Sequence, residues 1–118
     1  IDYGYLPPLN YSTLQSVKLH RKTNILDNLG NQDITSFVNF LDLLEIAKKN
    51  NLHIYGPVTQ KEFLKKNGIE ERKKKILFKA SQKHKLMIEK GYKRLIHHNQ
   101  MGIIFKFLII STYKFSDE

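Results

Sequence analysis

The segment that most limits what this chain can fold into runs from Ile103 to Ile110, where every position except Lys106 is apolar. A strand with one wet face alternates apolar and polar residues, whereas a strand covered on both faces is apolar on both parities. The pattern predicts a strand from Ile103 to Ser111 inside a sheet that helices flank on each side. The run is too short to cross a bilayer as a helix, which takes about twenty apolar residues. Two other strands are legible, one ending at Ile1 to Tyr3 and one over Leu52 to Tyr55. Three strands are too few for such a sheet.

The chain has 118 residues, enough for one domain with one core. It opens on Ile1-Asp2-Tyr3-Gly4, which reads as the last residues of a buried strand entering a loop, and its earliest methionine is Met87. The expectation is a fragment of a larger domain, set against a mature protein cut from a precursor. Residues 1–36 read as loop: Pro7 and Pro8 stand near one end, Asn28, Gly30 and Asn31 near the other, and apolar residues are thin between them. Residues 37–118 read as helices with the last two strands. Phe40, Leu43, Leu44 and Ala47 form one apolar stripe of a helix from about Phe40 to Asn50, with Asn39 as N-cap. Thr59 and Glu62 have the spacing of a capping box for a helix over Gln60 to Asn67, stopped by Gly68. Two further helical stretches follow, Ile69 to Ser81 and Gln82 to His98. The second buries Ile88, Tyr92, Leu95 and Ile96.

Residue chemistry narrows the function without naming it. The absence of cysteine excludes disulfides, thiolate nucleophiles and zinc–thiolate sites in this chain. Lys and Arg number 20 against 11 Asp and Glu, and the excess is local: Lys61 to Arg94 holds 13 bases and 4 acids. Such a surface can meet phosphates or carboxylates. Phe63, Phe78 and Tyr92 sit at expected core positions, which leaves few rings for stacking bases. A solvated lysine-rich face is therefore the preferred reading, ahead of a nucleic-acid or protein-binding module. His97 and His98 read as a surface pair on different sides of a helix end. His20, beside Arg21 in the long loop, is the histidine to test. No Ser-His-Asp set, phosphate-binding glycine loop or metal-binding histidine motif is present in the sequence.

The segments taken in order do resemble a family. Ile1-Asp2-Tyr3-Gly4, Thr13-Leu14-Gln15, His20-Arg21 and Asp33-Ile34-Thr35 with Val38-Asn39-Phe40 are followed by Gly56-Pro57-Val58-Thr59-Gln60 with Phe63-Leu64. Then come Gly68-Ile69 with Arg72, and Met101-Gly102 with Phe105-Lys106. The pattern is similar to that of the MidA-like methyltransferases from Ile1 to about Ile110. This family includes a mitochondrial assembly factor that methylates an arginine of a respiratory complex I subunit. Asn39 stands where many members carry Asp, and as an N-cap the two are nearly equivalent. Phe37 stands at a position that is histidine in the family pattern.

The resemblance implies an α/β fold, the C-terminal portion of a class I methyltransferase with a Rossmann-like sheet. It comprises strands five to seven plus flanking helices, with the seventh inserted between the other two. It implies a protein-arginine methyltransferase that uses S-adenosyl-L-methionine (SAM), the cofactor resting mainly on an N-terminal half, so that no cofactor-binding and no metal-binding residue is expected here. That half is either joined to this chain or separately encoded, and the chain alone is expected to be inactive. The partner implied is a protein substrate, a complex I subunit being the specific candidate. The implied compartment is the bacterial cytoplasm, or the mitochondrial matrix in a eukaryote, with no membrane span. Ligands of such sheets bind beyond the carboxyl ends of the strands. Asp2 and Asp33 are the carboxylates this portion offers as catalytic residues, and Tyr3, Gly4, His20, Thr35 and Gln60 are expected on the substrate side. A non-catalytic remnant and an independent basic binding module remain the alternatives.

Overall fold

The Ile103 segment does enter a sheet, though two residues later than its composition suggests. In the computed structural model, which describes residues 1–115, Met101–Ile104 close one turn of helix (α5) and the strand covers Phe105–Ser111 (β7). The elements before it are β1 (Asp2–Tyr5), β2 (Gln15–Lys18), β3 (Arg21–Thr23), β4 (Asp33–Thr35), β5 (Val38–Asn39), α1 (Phe40–Lys49), β6 (His53–Thr59), α2 (Gln60–Lys66), α3 (Ile69–Lys79) and α4 (Gln82–Ile96). The class is α/β.

The main sheet has the order β5-β1-β7-β6. β7 lies between β1 and β6 and runs antiparallel to both, while β5 is parallel to β1. The insertion of the last strand between the other two is the arrangement that the resemblance implies. Phe107 is the buried centre of β7, its ring stacked on Phe63 of α2 with centroids 4.0 Å apart. Lys106 and Leu108, facing the other way, are half-buried, and Ile109 and Ile110 stay exposed, so the cover is complete on neither side of the strand's end.

β6 is longer than the sequence suggests because it continues through Gly56-Pro57 instead of stopping there. The register against β7 shifts between Tyr55 and Val58, a β-bulge that absorbs the proline. Gly56 has a φ of 94°, and a Cβ on it would stand 2.5 Å from the Phe107 carbonyl oxygen. Only glycine lets the two backbones approach this closely.

Caps explain the helix boundaries. The Asn39 side chain accepts from the Leu41 N–H at 3.1 Å and starts α1, which buries Phe40 and Ala47. Thr59 and Glu62 form the full reciprocal capping box at α2. Gly68, left-handed at φ 78°, turns the chain from α2 into α3. α3 and α4 form a hairpin joined by a polar set: the Tyr92 hydroxyl donates to Glu70, and the Lys73 ammonium stands 4.0 Å from the Tyr92 ring centroid and 3.5 Å from a Glu89 oxygen. The expected buried face of α4 is only half-buried at Ile88, Tyr92 and Ile96.

Residues 1–36 depart most from expectation. The loop reading is corrected in part, because β2, β3 and β4 form a second antiparallel sheet of order β3-β2-β4. Apolar burial does not hold it. Ser16 donates to the Thr23 carbonyl at 2.8 Å, the Thr23 hydroxyl donates to Gln32 Oε1 at 2.8 Å, and the Gln32 amide donates to the Asn24 and Ile25 carbonyls. A search for apolar alternation does not see such a network.

Candidate functional site

β1 ends at Tyr5, and the chain returns beside it as β5, with Gly4 opposite Val38 and Tyr5 opposite Asn39. Residues 6–37 therefore form an arm with both ends fixed at the carboxyl end of β1. The close approach requires Gly4, where a Cβ would lie 2.4 Å from the Val38 carbonyl oxygen and 2.6 Å from the Phe40 ring. The Tyr3 ring is held edge-on by Phe37 at 5.4 Å and by Phe105 at 5.7 Å. Phe37 N–H donates to the Thr13 hydroxyl at 3.0 Å, pinning the end of the arm to its beginning. Beside that link lies a cavity of about 340 Å³, with Tyr11, Thr13, Gln15, Lys22 and Phe37 in its wall.

The expected site residues fall into three places. Asp2, Tyr3 and Gly4 lie on β1 of the main sheet. Asp2 is exposed, and its carboxylate accepts from the Tyr3 N–H at 2.9 Å. Asp33 and Thr35 lie on β4 of the small sheet, opposite Val17 and Gln15, with Asp33 exposed. His20 is also on that sheet, at the tip of the β2–β3 hairpin, where Leu19 and His20 both hold positive φ, 48° and 62°. Gln60 does not join them. It is 4% exposed, and its amide donates to the Leu95 carbonyl at 2.8 Å, tying α2 to α4. The adjacent histidines also differ from their expected arrangement. α4 ends at Ile96, so His97 and His98 lie beyond the helix and stack at 4.4 Å instead of diverging.

Two residues outside the expected set shape this region. Lys106 sits in β7 with Asp2 opposite it on one side and Thr59 on the other. Burial holds its ammonium below the usual lysine range, the nearby Glu62 carboxylate works against that shift, and the ammonium donates to the Ile103 carbonyl. Its signal in the sequence is that of a lone charge within an apolar strand. Phe37 becomes one wall of the Tyr3 cluster, a role set by the fold that brings it beside Tyr3.

The positions where a Cβ would sit at Gly4, Gly56 and Gly102 are occupied by this chain's own backbone, and Gly30 lies at a turn facing open space.

The first 58 residues match a family model described as a putative S-adenosyl-L-methionine-dependent methyltransferase. Among curated proteins, the chain is 36% identical over 111 residues to the mitochondrial protein arginine methyltransferase NDUFAF7 of Xenopus tropicalis, covering 92% of this chain and 25% of that protein. It is 34% identical over 108 residues to the mitochondrial NDUFAF7 homolog of Caenorhabditis elegans, covering 90% of this chain and 24% of that one. A crystal structure of an uncharacterized protein from Burkholderia thailandensis superposes with a TM-score of 0.78 at 27% identity, over 95% of this chain and 31% of the other. The chain spans about a quarter of the length of the curated relatives that it matches.

Proposed function

This chain is a homologue of the MidA-like S-adenosyl-L-methionine-dependent methyltransferases, and from that premise we propose that it forms the C-terminal, substrate-side part of a protein arginine methyltransferase. The observation that carries the reading is the arm of residues 6–37, hung by both ends from the carboxyl end of β1. In open α/β sheets that is the end where ligands bind. An arginine substrate needs acceptors that fix its guanidinium so that one nitrogen faces the methyl donor in line. Asp2 and Asp33 are the carboxylates proposed for that task, with Tyr3, Gly4, His20 and Thr35 shaping their surroundings. Gln60 acts instead as a strut between helices.

The methyl donor is held by residues beyond this chain, and the chain alone transfers no methyl group. Support comes from the quarter-length span against the relatives. The narrower reading assigns the substrate to a respiratory complex I subunit, as the family resemblance implies. The relatives are mitochondrial by name, and a eukaryotic version of this chain belongs in the matrix, a bacterial one in the cytoplasm. No helix among the described residues is long and apolar enough to cross a membrane.

A chimera tests the proposal: this chain replaces the matching quarter of the Xenopus tropicalis relative, and transfer of a labelled methyl group is measured. Asp2→Ala and Asp33→Ala each remove a charge-assisted hydrogen bond of roughly 1.5–3 kcal/mol. The expected loss in transfer is about ten- to hundredfold, with SAM affinity unchanged. Full activity in both variants would remove Asp2 and the arm's Asp33 from the site, and an inactive parent chimera that still binds SAM would favour a non-catalytic remnant.

A further inference from the structure

The most distinctive surface outside the arm is the α3–α4 hairpin. From Arg72 to Ile88 there are seven Lys and Arg residues and no Asp or Glu. Within that stretch the two helices enclose an open cleft of about 1030 Å³, whose walls bring Ile76, Phe78 and Met87 together with Lys74, Lys75 and Lys79. Phe78 is 88% exposed, so a large ring stands in water beside a collar of ammonium groups. The cleft and its collar are one surface, because the same cavity is lined by both.

We propose that this cleft docks an acidic amphipathic helix of a partner protein, independently of the methyltransferase reading. A concave apolar floor takes the anchors that a helix presents at i, i+3, i+4 and i+7. Met87 supplies a side chain that adapts to different anchors. The collar, formed by Lys74, Lys75 and Lys79 at the cleft itself, then selects carboxylates on the helix's other faces. A hairpin-to-hairpin contact with a second copy of this chain is disfavoured by the same charge. RNA would use the charge but leave the apolar floor unused, and stacking rings are few.

The probe is a fluorescent peptide of about sixteen residues with Leu on one helical face and Glu on the others, titrated by anisotropy into the chimera described above, with the unmodified relative as the control. Saturable binding is expected, weakened roughly tenfold or more when its Glu residues become Gln or the salt is raised. Phe78→Ser and the pair Lys74→Glu with Lys75→Glu should each weaken binding by about tenfold. Phe78 is exposed enough that its loss leaves helix content, followed by circular dichroism, unchanged. Three results overturn the proposal: no saturable binding, binding that neither variant weakens, or tighter binding of a uridine homopolymer or of phosphatidylglycerol vesicles than of the acidic peptide.

Discussion

Single residues carry the close contacts that fix the arm. Gly4→Ala drives a Cβ into the Val38 carbonyl and the Phe40 ring, and overpacking of this kind costs about 1–3 kcal/mol. The expected outcome is an earlier urea midpoint with the slope retained. The hairpin tip offers the opposite change. Leu19 and His20 hold left-handed backbone that Asn and Gly adopt at less cost, so replacing the pair by Asn-Gly should raise stability by roughly 1 kcal/mol. Methyl transfer by the chimera carrying the same pair separates the two roles of His20: retained activity makes it a turn residue, and lost activity gives it a part in the site. Tyr92 reports on pH. Burial first, and the Glu70 carboxylate second, push its phenol up to about 12 from 10. A raised value favours the protonated form in the fold, so this contribution is complete below pH 10 and lost as pH rises toward 12. Alkaline titration should show a late phenolate phase that Tyr92→Phe removes. In the sequence, Asp2, Tyr3 and Gly4 are legible because the family pattern marks the end of a strand. Gln60 is misleading there, since its partner Leu95 lies 35 residues away and only packing joins them.

Elements were legible where local chemistry decides them. α1 and α2 begin at caps whose spacing is visible in the sequence, and their hydrogen bonds form as that spacing requires. Glu62 is held below the usual carboxylate range, first by the Thr59 hydroxyl and then by the Thr59 N–H. A lowered value means that its contribution is present above the ordinary carboxylate range and lost as pH falls through the lowered value. Unfolding followed in acid should therefore show a pH-dependent step that is smaller in Glu62→Gln. β6 and the small sheet were less legible for two separate reasons. Gly56-Pro57 reads as a stop, but the neighbouring β7 tolerates a bulge there. β2, β3 and β4 rest on the Ser16, Thr23 and Gln32 network, so Thr23→Val, which removes a hydroxyl of similar volume, should loosen that sheet. Faster amide exchange across β2 and β3, with β6 and β7 unchanged, is the expected reading. The centre of the main sheet is better defined: Phe107→Ala removes the ring stacked on Phe63 and should cost about 3 kcal/mol.

At the scale of the whole molecule, the chain presents more surface than a self-sufficient domain. Its accessible area is 9402 Å², and its radius of gyration is 18.1 Å. A folded monomer of 13.9 kDa is expected to expose about 6,700 Å², and a compact chain of this length to have a radius near roughly 13 Å. The excess, about 2,700 Å², is on the scale of an obligate interface. Among the described residues the buried hydrophobic ones are Phe40, Ala47 and Phe107, while Ile109, Ile110 and Ile46 stay exposed on the sheet and on α1. β7 read in isolation had already signalled this, since a strand apolar on both parities calls for more cover than these helices supply. The isolated chain should therefore unfold with a shallow urea slope and low stability, or associate as its concentration rises. Sedimentation and urea unfolding over a range of concentrations provide the measurement. Joined to the relative's remaining sequence in the chimera, the chain should then give a steeper and more cooperative transition, the outcome expected when that sequence covers those faces. A concentration-independent monomer with a stability of about 5 kcal/mol or more would show that this surface needs no cover, and would remove the physical support for a SAM-binding part beyond the chain.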